Sequence, residues 1–167
     1  MASIIESDEL KVLNPLDDIE ELVSTNDWPF ERPRKDEMTV WVSGGWSTYQ
    51  LWFLWRTEPD ILYVSASFDV KVPKRRRADA HHLLSLVNER TWIGHFALSP
   101  SDDLVTFRYA QLLPKGAGVE GPFLETLIEI ALTECERYFP AFQFVLWGGK
   151  TPPQAMAAAL LETQGEA

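Results

Sequence analysis

The stretch MTVWVSGGWSTYQLWFLWRTEPDILYVSASF, residues 38–68, decides the fold. Its apolar residues recur at every second position, the period of a β-strand, whose successive side chains point to opposite faces. Two turn signals divide it into three strands. Gly44-Gly45 supplies a two-residue hairpin turn, because both positions can adopt positive φ, and Thr57-Glu58-Pro59-Asp60 supplies a turn of four residues. Around the first turn Val42 faces Ser47 and Val40 faces Tyr49. Around the second, Trp55 faces Leu62, Phe53 faces Val64, Leu51 faces Ala66 and Tyr49 faces Phe68.

This register sorts the side chains. Met38, Val40, Val42, Tyr49, Leu51, Phe53, Trp55, Leu62, Val64, Ala66 and Phe68 share one face, which is the core. A slip of one residue would scatter that set over both faces, so the register is well specified. The opposite face receives Trp41, Trp52, Leu54 and Tyr63 among Thr39, Thr48, Gln50 and Ser65, with Trp46 at the hairpin rim. A water-facing sheet surface is polar at these positions. Half of these are aromatic or aliphatic, so the face calls for a cover. Either the last helix supplies it, through Met156, Ala159 and Leu160, or a second subunit or client does.

Outward from this ribbon the period becomes helical. Asn14-Pro15-Leu16-Asp17 opens a first helix, with Asn14 as cap, Pro15 at the first position and Asp17 at the positive end of the dipole. That helix stops near Asn26, before Trp28-Pro29. A second helix spans about 76–90 on the stripe Ala80, Leu83, Leu84 and Val87. Trp92–Leu98 and Asp103–Tyr109 form another hairpin, pairing Leu98 with Asp103, Phe96 with Val105 and Trp92 with Tyr109. That register sets Gly94 opposite Phe107, where a missing side chain makes room for the ring. A third helix covers about 121–139 and ends or kinks at Pro140. The apolar stretch Ala141–Trp147 leans helical but is open to a strand reading. Thr151-Pro152-Pro153-Gln154 is a capping-box signal for a last helix over about 152–163. The expected fold class is α+β: an antiparallel five-stranded sheet with helices packed on it, order α-β-β-β-α-β-β-α-α. A loosely ordered acidic tail over 1–13 precedes one domain over 14–163.

Composition narrows the function. The chain has 167 residues and a formal charge of −10, and residues 1–31 carry nine acids against Lys11 alone. Such a surface repels phosphate, which disfavours nucleic acid. One cysteine, Cys135, permits no intramolecular disulfide and suits a reducing cytoplasm. There is no signal-peptide pattern and no apolar run of the ~20 residues needed to span a bilayer, so the expectation is a cytoplasmic protein with no membrane partner.

Catalytic and metal chemistry find little support. His81 and His82 are adjacent and diverge on a helix, and His95 falls on a strand. Without a second Cys or an HExxH pattern no metal is expected. Cys135 falls in an apolar helical stripe, where a thiol is a small hydrophobe. Ser43-Gly44-Gly45 and Gly116-Ala117-Gly118 are turns without a phosphate-binding signature. No cofactor and no enzyme activity are expected. The cluster Lys71, Lys74, Arg75, Arg76 and Arg77 reads as a solvated turn, or as a site for an acidic client or the acidic first helix.

Several local phrases resemble the YbjN-domain family of bacterial proteins. They are Asn14-Pro15-Leu16, Phe68-Asp69-Val70-Lys71-Val72-Pro73, Leu86-Val87-Asn88-Glu89-Arg90 and Gly94-His95-Phe96. The strongest runs from Glu129-Ile130-Ala131-Leu132-Thr133-Glu134-Cys135-Glu136-Arg137 through Trp147-Gly148-Gly149-Lys150. The family is commonly labelled a regulator of sensory transduction, and its fold is similar to the small chaperones of type III secretion, which dimerise and hold extended client segments. The resemblance implies helices against an antiparallel sheet, a homodimer and no enzymatic activity, and it transfers no catalytic residue. The expected function is a regulatory or chaperone-like protein-binding module that uses Trp41, Trp46, Trp52, Leu54 and Tyr63. The alternative is a small-molecule sensor with its ligand between the sheet and the last helix.

Overall fold

The structure is a computed structural model that describes residues 13–115 and 118–164, the last two without their side chains. The expected tail over 1–13 lies outside the described residues except for Leu13. The elements are α1 (Pro15–Thr25), β1 (Phe30–Arg34), β2 (Glu37–Ser43), β3 (Thr48–Thr57) and β4 (Asp60–Lys71). A 3-10 turn (Lys74–Arg76) leads into α2 (Arg77–Arg90), and β5 (His95–Leu98), β6 (Leu104–Leu112), α3 (Gly121–Leu146) and α4 (Pro152–Gln164) follow. The strands form one antiparallel sheet in the order β1-β2-β3-β4-β6-β5.

The sheet has six strands rather than five. The additional strand is β1, Phe-Glu-Arg-Pro-Arg, which pairs Phe30 with Val40 and Glu31 with Thr39. Its charges and Pro33 hide it from any hydrophobic period, and both are devices that protect a sheet edge from further pairing. It is an edge strand, tied to α1 where Arg32 reaches Asp17 at 2.7 Å and Glu20 at 2.5 Å.

The β3–β4 pairing follows the expected register from Trp55↔Leu62 to Tyr49↔Phe68. The β2–β3 hairpin differs by two residues: Val42 pairs with Tyr49 and Val40 with Leu51, and the turn is Gly44–Ser47, closed by Gly44 N–H to Ser47 C=O at 2.8 Å. Neither Gly44 nor Gly45 has positive φ. Gly44 is required by space instead, because a Cβ there would overlap the Glu136 carboxylate and the Tyr49 ring. A shift of two keeps every side chain on its face, so the division into core and outer surfaces is unchanged.

The third hairpin is also shifted by two, pairing Phe96 with Phe107 and Leu98 with Val105. Gly94 still faces the Phe107 ring, but at φ +73° it turns the chain away from the sheet. Trp92 therefore lies outside β5 and is 97% exposed, instead of pairing with Tyr109.

All four helices stand on the core side of the sheet. Leu16, Ile19 and Val23 of α1, the α2 stripe Ala80, Leu83, Leu84 and Val87, and the broad face of α3 join the inward strand residues in one buried cluster. Phe68 sits at its centre, with ring centroids 5.3 Å from Phe139 and 5.6 Å from Phe142. Pro140 does not end α3. A proline costs the helix one hydrogen bond, and the burial of Tyr138, Phe139, Ala141 and Phe142 around it outweighs that loss. Asn14 caps α1 through Leu16 N–H at 2.9 Å, and Thr151 and Gln154 form the capping box of α4.

Candidate functional site

The outer face of the sheet follows from the strand pairings. One row across the strands reads Thr39, Trp52, Ser65, Arg108 and His95. The next reads Glu37, Leu54, Tyr63 and Ala110, and the one beyond it Arg56, Ile61 and Leu112. No residue of these rows is fully buried, although Trp41, Trp52, Leu54 and Tyr63 are half-buried by their neighbours.

The last helix does not cover this face. α4 packs against α3 and α2, with Met156 and Ala159 buried on the helical side. For the same reason the expected ligand site between the sheet and α4 finds no support among the described residues: α4 packs chiefly on the helices α3 and α2.

Of the five aromatic and aliphatic residues singled out by sequence, three come together. Trp52 and Tyr63 make a T-shaped contact with centroids 5.6 Å apart, and Leu54 pairs directly with Tyr63. Trp41 lies at the next outward position of β2, opposite Gln50, with its backbone N–H bonded to Pro29 C=O at 2.9 Å. Trp46 is in the turn and 44% exposed. Its backbone N–H points to Glu136 Oε1 at 3.5 Å, on the helix layer. Among the described residues no ring contact joins Trp41 or Trp46 to the Trp52–Tyr63 pair.

Polar groups hold the pair at both ends. Trp52 Nε1–H donates to Glu37 at 2.9 Å, and Glu37 is paired with Arg34 at 2.7 Å. On the other side Arg108 Nε–H donates to the Tyr63 hydroxyl at 2.6 Å, with the guanidinium carbon 5.4 Å from the ring centroid, within cation–π range. A groove of about 370 Å³ runs beside them, bounded by Trp52, Tyr63, Arg108 and the turn around Ser99–Asp102. Sequence reasoning missed Arg108, Glu37 and Arg34. Alternation alone puts Arg108 outward, but its neighbours depend on the β4–β6 pairing, which no turn specifies because α2 and β5 intervene.

The other candidate chemistry is structural. Cys135 is fully buried, and burial first, then Glu134 and Glu136, pushes its thiol far above the ordinary range. Tyr49 is buried beside Glu136, and burial followed by that carboxylate holds its hydroxyl protonated far above the usual tyrosine value. Glu136 itself accepts Gly45 N–H at 2.8 Å, fastening the β2–β3 turn to α3. In the basic cluster Arg76 pairs with Asp79 at 2.8 Å and Arg77 with Asp103, while the α1 acids Asp17 and Glu20 hold Arg32. His81, His82 and His95 are exposed, and among the described residues no three His, Cys, Asp or Glu gather as a metal site. Among the same residues no helix is long and apolar enough to cross a membrane.

These features define an α+β protein with helices on one face of an antiparallel sheet and, among the described residues, an aromatic face without helices on the other. The family described as "Putative bacterial sensory transduction regulator" matches residues 15–144, and the chain belongs to it: the YbjN family. The fold is similar to a solved structure from E. coli, described as "YbjN, a putative transcription regulator". The two share 9% identity with a TM-score of 0.51, over 71% of this chain and 84% of that one, which is a likeness of fold. Comparison with curated proteins gave no match. The family is described by regulation and not by an enzyme activity.

Proposed function

We propose that this protein is a non-enzymatic regulatory module that docks another protein or peptide on the open face of its sheet, in a chaperone-like manner. The observation that carries the reading is the half-buried Trp52–Tyr63 pair, which no other described element covers while all four helices stand on the other side. Trp and Tyr dominate binding hot spots, because each buries a large area while fixing few rotors. Hydrogen bonds from Trp52 to Glu37 and from Arg108 to Tyr63 hold the pair in place before binding, which lowers the ordering cost of association. The surface is equally open to a second copy of the chain, and the homodimer expectation belongs to the same proposal.

The test is the double variant Trp52→Ala, Tyr63→Ala, expressed at native level and compared with wild type in co-purification and in sedimentation. The reading expects a partner, or the second subunit, to be lost from the variant while far-UV circular dichroism is unchanged. Retention of every partner by a folded double variant would overturn it.

A further inference from the structure

We infer that the open face selects an acidic partner segment: an extended peptide that sets a carboxylate on Arg108 and an apolar side chain on the Trp52–Tyr63 rings. This deepens the docking proposal above and rests on it. The argument is charge complementarity. The chain carries a net charge of −10, which disfavours acidic partners unless a local cationic site receives them. On the outer face, however, the carboxylate beside the ring pair, Glu37, is already engaged by Arg34 and by Trp52, and the one at the far edge of the groove, Asp102, accepts Leu104 N–H at 3.3 Å.

The cations of the face are not so engaged. Among the described residues Arg32, Arg34, Arg76, Arg77 and Arg137 each have a carboxylate within ion-pair distance, whereas Arg56, Arg75, Arg90 and Arg108 have none, and of these four Arg56 and Arg108 lie on the outer face of the sheet. Arg108 commits its Nε–H to the neutral Tyr63 hydroxyl, which fixes the plane of the guanidinium and leaves both terminal nitrogens for a ligand. A planar, oriented guanidinium receives a carboxylate by two parallel hydrogen bonds, and arginine exceeds lysine in this role. Arg56 lies on the same face but on β3, opposite Ile61 where Arg108 of β6 is opposite Ser65, so the two are four residues along and two strands across, about 16 Å apart by strand rise and spacing. The two cations therefore flank Tyr63 along a diagonal of the sheet, with Trp52 beside it, and a segment alternating acidic and apolar residues matches the pattern.

The test uses the full chain and labelled peptides of about ten residues, long enough to cross the face. One pool alternates Asp or Glu with Leu, Ile or Phe; two control pools carry Lys or Ser in the acidic positions; a single-stranded oligothymidine is the nucleic-acid control. The readout is fluorescence anisotropy, with Arg108→Ala, Arg108→Lys and the double variant Trp52→Ala, Tyr63→Ala alongside, each checked by circular dichroism. The inference expects the acidic pool to bind, to weaken roughly tenfold in Arg108→Ala, the loss of one good charge contact, and to weaken as salt rises. Arg108→Lys should fall between the two. Equal binding of the lysine or serine pools, sensitive to the ring double variant but not to Arg108, would sink acidic selectivity and leave docking on the face intact. Tighter binding of the oligonucleotide would overturn it in favour of phosphate. Binding of no pool by folded wild type would remove the acidic inference, and the co-purification comparison then decides docking separately.

Discussion

Arg108 donates its Nε–H to the Tyr63 hydroxyl at 2.6 Å, on the face of the sheet that none of the four described helices covers. Tyr63 thus has a structural neighbour of a different kind from the inward residues beside it. Val64, the next residue, is fully buried, while the Tyr63 ring is only half-buried. Two substitutions separate these environments.

Tyr63→Phe removes the Arg108 hydrogen bond and leaves the ring in place, so stability should change by less than about 0.5 kcal/mol, as for surface positions. Phe68→Ala empties the centre of the core and should cost about 3–5 kcal/mol. Urea titrations of the two variants make the comparison, and similar midpoints would place Tyr63 in the interior.

Asn88 of α2 mimics a neighbouring strand. Its side chain accepts Phe96 N–H at 2.7 Å and donates to Phe96 C=O at 2.9 Å. Asn88→Ala leaves both backbone groups of the edge strand without this partner, and should cost about 1–3 kcal/mol. Amide exchange should quicken first at Phe96. Unchanged protection there would show that water replaces the side chain fully.

Gly44→Ala places a methyl group against the Tyr49 ring and the Glu136 carboxylate. The expected cost is about 1–3 kcal/mol, typical of overpacking. Combining it with Glu136→Ala, which also releases Gly45 N–H, should give less than the sum of the two single effects. Full additivity in thermal melts would contradict the shared contact.

Glu134 has its carboxyl pKa raised above 4.5 by burial, with Arg137 opposing the shift. One oxygen, Oε2, is buried and has no hydrogen-bond partner among the described residues. Above the folded pKa the native state carries a carboxylate that burial disfavours; below 4.5 both folded and unfolded states are protonated and the penalty is gone. Glu134→Gln should therefore be more stable than wild type at neutral pH, with the advantage shrinking as pH falls through the folded pKa towards 4.5. Denaturant titrations across that window check the sign. A gap that widens on acidification would mean a depressed pKa instead.

The parts of the fold written in local chemistry were legible. Alternation over 38–68 and the bend at Thr57–Asp60 specify the β3–β4 pairing, and the caps Asn14 and Thr151 mark their helices. The parts fixed by distant contacts were not. Gly44-Gly45 reads as a positive-φ turn until Glu136, from α3, is seen to occupy the space beside it. β1 carries no apolar alternation, since an edge strand that must not pair further is built from Arg, Glu and Pro. The candidate site divides along the same line. Trp52, Leu54 and Tyr63 share a face by parity alone, whereas Arg108 reaches Tyr63 through a pairing between strands separated by a helix and another strand.

The central claim is that partners meet the open sheet face, and photocrosslinking tests it most directly. A photoreactive phenylalanine analogue is placed at Tyr63 in one variant and at the exposed Ser85 of α2 in another, and each is irradiated in the native cell. The account predicts a discrete protein adduct from position 63 and none from position 85. An adduct formed at position 85 alone would contradict it.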